Sequence, residues 1–150
     1  MMQGFNFSTE VRVRLPETDA MGIVFNGSFF TYFEVGRMDY FNNLGLFENY
    51  AQPIKGFQSV VRSTKCDFES PARVNESLVI YVRVAEIKNS SFRFEFVLYH
   101  KKDNRLVAKG DSVHVALDAQ SWKPVRVPEE FREAIRKYEG PSLVELGQKS

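Results

Sequence analysis

A short stretch near the N-terminus, ETDAMGIVFNGSFF, combines residue types that acyl transfer requires. Asp19 lies among otherwise small or apolar residues, and a predicted helix begins a few positions later, near Asn26 and Gly27. The first turn of a helix has main-chain N–H groups without partners, which can hold an oxyanion. A carboxylate facing such donors can act as base or nucleophile on a carbonyl. An Asp in such a loop also commonly forms an Asx turn, so spacing alone leaves both interpretations open.

Two predicted elements flank this loop and position it. Apolar and charged residues alternate from 10 to 15, which predicts a strand. From 28 to 44 apolar residues recur every three or four positions, which predicts a long amphipathic helix capped by Ser28 or Asn26. Asp19 therefore lies in the loop that leads from the first strand into this helix.

The rest of the chain is predicted to be mostly strand. Alternation and turn residues predict four strands and then a short helix, at 58–68, 77–87, 92–100, 106–118 and 128–139. The segment 47–57 is predicted to be a loop, and the tail 141–150 is predicted to fray. We expect one α+β domain over residues 1–150, with its core from about 10 to 120.

Composition excludes several function classes. Hydrophobic residues make up 43% and charged residues 26%, with no apolar run of the ~20 residues that cross a bilayer and no signal-like N-terminus. A net charge of +1, spread along the chain, gives no footprint for nucleic acid. One Cys and two His provide neither a disulfide nor metal spacing. We expect a cytoplasmic protein without a metal or cofactor.

Two stretches, ETDAMGIVFNGSFFTYFEVGR and SPARVNESLVIYVRV, resemble hotdog-fold acyl-CoA thioesterases of the 4-hydroxybenzoyl-CoA thioesterase type, which include small bacterial Tol–Pal-associated enzymes. The similarity runs from about Val11 to Leu117. It implies a hotdog fold, in which a five-stranded antiparallel sheet wraps a long central helix. It also implies homodimers with a continuous sheet, often homotetramers, with active sites at the dimer interface and hydrolysis of an acyl- or aroyl-CoA.

The resemblance assigns a role to each part of the first motif. It implies that Asp19 is the nucleophile or general base and that the main-chain N–H of Asn26 or Gly27 polarises the carbonyl oxygen. Many relatives carry His or Tyr where this chain has Asn26, a difference that bears on substrate preference. The substrate-binding residues that it implies are an acyl pocket at Phe25 and Phe29, a carbonyl or water contact at Ser63 or Thr64, and a CoA-binding turn at Lys88, Asn89 and Ser90.

Three other functions remain open from the sequence. The same fold serves as a noncatalytic module that binds an acyl thioester or a partner protein. It also serves as a thioesterase that acts on acyl-carrier-protein substrates. A hotdog dehydratase would need a His with an acid, and His100 and His114 lie far downstream of the central helix.

Overall fold

The computed structural model describes residues 2–47 and 57–147, and within them the chain forms six strands and two α-helices. In chain order they are β1 (Phe7–Arg12), α1 (Ser28–Asn43), β2 (Gln58–Phe68), β3 (Ser77–Ile87), β4 (Ser91–His100), β5 (Leu106–Leu117), α2 (Glu129–Glu139) and β6 (Val144–Glu145). Most of the predicted loop at 47–57 lies outside the described residues.

Five of the strands form one antiparallel sheet in the order β1-β3-β4-β5-β2, and the short β6 pairs with β3 in parallel. The sheet is not closed, because β1 and β2 lie at its two ends. Helix α1 packs against one face of the sheet. The α+β hotdog prediction is therefore confirmed, with one additional short strand that the sequence did not predict.

Aromatic rings and one glycine hold α1 close to the sheet. Phe33 of α1 stacks on Phe96 of β4, with the ring centroids 4.4 Å apart and the planes 5° from parallel. At Gly36 an added Cβ would lie 2.9 Å from Cγ2 of Val82, so only a hydrogen fits there. The helix and the sheet are thus packed without room for a ligand between them at this point.

Two of the predicted boundaries are wrong, and pairing explains both. The first strand is Phe7–Arg12 rather than 10–15, because β1 pairs along β3 from Val82 to Ser77 and this ladder ends where β3 begins. The tail predicted to fray instead forms a 3₁₀ turn at Gly140–Ser142 and then β6. Neither pairing can be read from local alternation.

The C-terminal segment is held by Arg132 of α2, whose side chain is fully buried. Its guanidinium donates to the main-chain oxygens of Lys88, Asn89, Val127 and Leu146, and it pairs with Glu145 at 3.3 Å. A buried guanidinium is stable only when its donors are satisfied, which four carbonyls and one carboxylate achieve here. The turn between β3 and β4 is therefore tied to both α2 and β6.

Strand β2 lies at an edge of the sheet and is largely exposed. It pairs with β5 on one side, and no described strand lies on the other. The run from Val61 to Lys65 is solvent-exposed, and 49% of the Val61 surface is accessible. A long edge with exposed apolar residues is a surface on which another strand can pair. In the described part of the chain, neither helix has the length and apolar character to cross a bilayer.

His114 of β5 is buried on the helix side of the sheet. Its ring stacks on Phe92 at 5.3 Å, and its Nε2 lies 2.8 Å from Oγ of Ser112. Burial, with the nearby positive charge of Arg37, lowers the pKa of His114 to about 3. The residue is therefore neutral in the folded protein over the physiological pH range.

We expect His114 to make the protein acid-sensitive. In the unfolded chain His114 takes up a proton below about pH 6.5, whereas in the folded chain it does so only at about pH 3. The folded state is therefore fully stabilised above pH 6.5, and this stability is lost as the pH falls toward 3. Between pH 7 and pH 5 this one group should remove about 2 kcal/mol from the free energy of unfolding. Urea unfolding of the wild type and of His114→Gln at both pH values measures it. Equal pH dependence in the two proteins would contradict the assignment.

Candidate active site

Asp19 begins a tight turn that its own side chain stabilises. Oδ1 accepts a hydrogen bond from the main-chain N–H of Met21 at 2.8 Å, and the N–H of Gly22 donates to the Asp19 carbonyl at 3.0 Å. Gly22 has a φ of +78°, a backbone conformation that favours glycine. The Asx turn therefore exists, and it fixes the carboxylate by one oxygen. Within residues 2–47 and 57–147 the second oxygen, Oδ2, has no partner.

Glu17 anchors the base of this loop. Its carboxylate accepts hydrogen bonds from the Arg14 side chain at 2.7 Å and from the Tyr32 hydroxyl at 2.9 Å. Burial acts to raise the pKa of Glu17, but the hydrogen bonds from Arg14 and Tyr32 outweigh it and hold that pKa below its ordinary value. The Glu17 carbonyl also accepts from the N–H of Phe25 and from the hydroxyl of Ser28. Glu17 therefore ties the start of the loop to Phe25 near its end and to Ser28 and Tyr32 of α1.

Helix α1 begins without a side-chain cap, contrary to the cap predicted at Ser28 or Asn26. Gly27 is the N-cap residue, and the Ser28 hydroxyl is engaged by Glu17 instead. Ser28 and Phe29 donate their N–H groups to the carbonyls three residues earlier. In the described part of the chain, no acceptor meets the N–H groups of Asn26 and Gly27. Two main-chain donors thus remain free at the start of the buried helix.

A groove of about 490 Å³ runs past these groups. Asp19 and Asn26 line it on the side of the loop. Phe68, the last residue of β2, and the next three residues, 69–71, line it on the other side. Phe29 forms part of the wall, and its ring lies 5.5 Å from that of Phe68. The groove therefore brings together a carboxylate, a helix start with free donors and an apolar wall.

Phe25 also lines the groove, and it lies over the start of the helix. Its ring is 52% exposed, and a Cβ added at Gly27 would lie 2.7 Å from its Cε2 atom. The two rings that were predicted to flank an acyl site, those of Phe25 and Phe29, thus both line the groove. They differ in mobility, because Phe29 is only 4% exposed and is packed in the core.

Ser63 and Thr64 lie in the middle of β2 rather than beside Asp19. Phe68, which does line the groove, lies five residues beyond Ser63, a distance of roughly 17 Å at about 3.3 Å per residue. The Thr64 hydroxyl donates to the carbonyl of Asp111 at 2.9 Å. Within one protomer, neither residue reaches the groove.

The Lys88–Ser90 turn lies at the opposite end of the sheet from Asp19. The Asp19 loop bridges to Arg73, just before β3 begins at Ser77, whereas the turn follows the other end of β3. Eleven residues of strand span roughly 35 Å. Lys88 is exposed, and its Nζ lies 3.7 Å from Glu86. One protomer therefore does not bring this turn to the carboxylate.

Sequence reasoning missed three residues of this region. Glu17 precedes Asp19 by two positions, and its link to Tyr32, fifteen residues away, is visible only in the fold. Glu69 lines the groove directly after β2. Arg73 is exposed, and its guanidinium would lie 3.7 Å from a Cβ on Gly22, which makes it a cation beside the Asp19 loop. The stretch DFESPAR contained the latter two, but it has no periodicity that marks a site.

The histidines and the cysteine lie away from the groove. His100 sits between Glu76 at 2.9 Å and Asp103 at 3.1 Å, at the turn between β4 and β5. Burial, together with the charge of Asp67, raises the pKa of the Cys66 thiol to about 12, which makes it a poor nucleophile. Of the described residues that line the groove, Asp19 and Glu69 carry titratable side chains, and neither histidine nor the cysteine is among them.

Comparisons with known proteins show the family of this chain. A family model described as the thioesterase-like superfamily matches residues 13–135. The acyl-CoA thioesterase YbgC of Haemophilus influenzae is 30% identical over 130 residues, covering 86% of this chain and 93% of that protein. The acyl-CoA thioester hydrolase YbgC of Escherichia coli is 25% identical over 122 residues, covering 81% of this chain and 90% of its own.

A similar fold occurs in a solved enzyme structure. It is that of a Thermus thermophilus thioesterase complexed with coenzyme A and Zn, with a TM-score of 0.77 and 30% sequence identity. The match covers 93% of this chain and 98% of that one. Residues 13–135, which the family model matches, include the Asp19 loop, α1 and the strands β2 to β5.

Proposed function

The chain belongs to the thioesterase-like superfamily, and from that premise we propose that it hydrolyses the thioester bond of an acyl- or aroyl-CoA to the free acid and CoA. One observation carries the proposal. Asp19 and Asn26 line the same groove, and the N–H groups of Asn26 and of the adjacent Gly27, the N-cap residue of α1, have no acceptor in the described part of the chain. These groups are a base or nucleophile and a pair of oxyanion donors, the two components that acyl transfer needs.

In the proposed reaction, the thioester carbonyl lies between the carboxylate and the helix start. The free oxygen Oδ2 of Asp19 either takes a proton from an attacking water or attacks the carbonyl carbon itself, giving a mixed anhydride that water then opens. In both routes negative charge develops on the carbonyl oxygen, to which the N–H of Asn26 or Gly27 donates a hydrogen bond. Collapse of the tetrahedral intermediate breaks the C–S bond and gives either the free acid or the mixed anhydride. The thiolate of CoA leaves and takes up the proton that the water gives up.

The loop that holds Asp19 supports this role. Its Oδ1 is fixed by the Met21 N–H, and the loop is fastened by Glu17 to Tyr32 and Ser28 of α1. A carboxylate held in this way loses little conformational freedom when substrate binds. The free N–H groups also support the proposed reaction. They belong to the main chain, so they can donate to the oxyanion whatever side chain stands at Asn26.

We further propose that the active unit is a homodimer in which β2 pairs with β2 of a second copy. Strand β2 is an exposed edge, and two-fold antiparallel pairing about its middle would join the two sheets. Ser63 and Thr64 would then lie at the seam. The same symmetry would place the Gln58 end of the partner's strand opposite Phe68, and with it the partner's β3–β4 turn on the side of the groove.

This arrangement gives Lys88, Asn89 and Ser90 a role that one protomer does not allow. An exposed Lys on a fixed turn can bind a phosphate of CoA, while the acyl end lies near Asp19 of the other subunit. Arg132 supports the role, since it holds the carbonyls of Lys88 and Asn89 and so keeps the turn in one conformation.

A thiol-release assay tests the proposed function. We expect the purified protein to release CoA from at least one member of a panel of acetyl-, butyryl-, hexanoyl-, palmitoyl- and benzoyl-CoA, at least a thousandfold faster than the spontaneous reaction. Binding of these compounds without thiol release would indicate a noncatalytic acyl-thioester module instead. Release from acyl carrier protein thioesters alone would indicate a different substrate carrier.

A further inference from the structure

The groove beside Asp19 contains a second carboxylate, that of Glu69. Glu69 directly follows Phe68, the last residue of β2, and it is solvent-exposed. Its main chain is fixed, because its N–H donates to the carbonyl of Val107 at 2.9 Å. The next residue, Ser70, donates from its hydroxyl to the carbonyl of Leu106 at 2.6 Å. The side chain of Glu69 therefore projects from a rigid segment.

None of the described residues that line the groove is Lys, Arg or His, and none of the described cations pairs with Glu69. Two arginines lie behind the lining. Arg105 donates to the Ser70 hydroxyl oxygen at 2.8 Å and to the carbonyl of Pro71, and it pairs with Asp103 at 3.1 Å. Arg73 lies against Gly22. The remaining lining is apolar or uncharged, and it includes Phe25, Phe29 and Phe68. The lining therefore combines an aromatic wall with two negative groups.

We propose, building on the proposed function, that Glu69 determines substrate specificity by excluding acyl groups that carry a carboxylate, so that the protein acts on uncharged acyl groups. When the carbonyl is held between Asp19 and the start of α1, the acyl chain lies in the apolar part of the groove, against the contacting rings of Phe29 and Phe68. The distal end of a short acyl chain then lies near Glu69. A terminal carboxylate there meets a like charge, whereas a methyl group or a ring meets only the aromatic wall.

The charge of Glu69 also assists release of the product. Hydrolysis converts a neutral thioester into a carboxylate anion inside a groove that already contains two acids. Like charges within several ångströms repel one another by an amount that corresponds to about a tenfold change in affinity. The same charges that exclude an acidic acyl group therefore favour departure of the acid that is formed.

Two acyl-CoAs of equal chain length test the inference. Pentanoyl-CoA and glutaryl-CoA both have five-carbon acyl groups and differ in the terminal carboxylate of the latter. We expect the wild type to prefer pentanoyl-CoA by at least thirtyfold in kcat/KM. The ratio of glutaryl to pentanoyl kcat/KM should rise about tenfold in Glu69→Gln and further in Glu69→Lys. If the ratio follows the charge of the side chain at position 69 rather than its size, the exclusion is electrostatic and not steric.

Controls make each outcome decisive. Glu133→Gln, which removes an exposed acid on α2, should leave both rates unchanged. Raising the salt concentration should reduce the wild-type preference, because exposed charges are screened. A wild-type glutaryl rate equal to the pentanoyl rate, or a ratio that does not change in Glu69→Gln, would overturn the inference and indicate that Arg73 sets the charge met by the acyl group.

A binding measurement distinguishes this inference from the proposed function. Thermal shifts of the wild type with each acyl-CoA report binding even without turnover. Stronger stabilisation by pentanoyl-CoA than by glutaryl-CoA, reduced in Glu69→Gln but accompanied by no thiol release, would support the inference and contradict the hydrolase. Hydrolysis of both compounds at equal rates would support the proposed hydrolase and contradict the inference about Glu69.

Discussion

Asp19→Asn is expected to lower kcat at least a hundredfold while changing the free energy of unfolding by less than about 0.5 kcal/mol. The amide oxygen of Asn can still accept the hydrogen bond from Met21, so the turn should persist. The amide cannot take a proton from water and is a poor nucleophile. Thiol release from the preferred acyl-CoA and urea unfolding measure the two quantities separately.

Asp118→Asn provides a matched control. Asp118 is also an exposed acid that stabilises a turn, since its Oδ2 accepts from the N–H groups of Gln120 at 3.1 Å and Ser121 at 2.8 Å. It lies in the segment after β5, outside the groove lining. If the contribution of Asp19 were only that of a turn, the two substitutions would have equally small effects on kcat. That result would end the proposed mechanism.

Gly110→Ala is expected to destabilise the protein by at least about 2 kcal/mol. A Cβ at this position of β5 would collide with the main-chain oxygen of Lys65 and would lie 2.8 Å from Cζ of the Phe33 ring. Lys65 belongs to β2, and Phe33 is stacked on Phe96, so neither can move without breaking a pairing or a packed layer. Chemical unfolding measures the loss.

Gly27→Ala is the comparison for that change. There the added methyl group would meet only the ring of Phe25, which is half exposed and can rotate away. We expect a change of less than about 1 kcal/mol. Similar losses in the two variants would show that the general cost of replacing glycine, rather than the collision with β2, determines the result.

The local parts of the fold could be predicted from the sequence, and the long-range parts could not. Strands β2 and β3 have the predicted bounds, and α1 begins at the predicted Ser28, because alternation and helical spacing are properties of neighbouring residues. Strand β6 was missed, because it exists only through pairing with a strand more than fifty residues earlier. Two residues of strand carry no pattern of their own.

The candidate site divides in the same way. The motif around Asp19 could be recognised because its turn, its glycine and the helix start follow one another in sequence. Glu69 could not, since it reaches the groove through the position of β2 rather than through any motif. The separation of Lys88 from Asp19 was equally hidden, because it depends on which end of β3 each residue adjoins.

The buried guanidinium of Arg132 has a consequence for biosynthesis. The β3–β4 hairpin leaves the ribosome some forty residues before Arg132 does, and Leu146 follows later still. Until α2 has been made, the carbonyls of Lys88 and Asn89 lack the Arg132 guanidinium and can be satisfied by water. The final hydrogen bonding of this turn therefore forms only after Arg132 has left the ribosome, and a truncation before that residue would leave the turn without it.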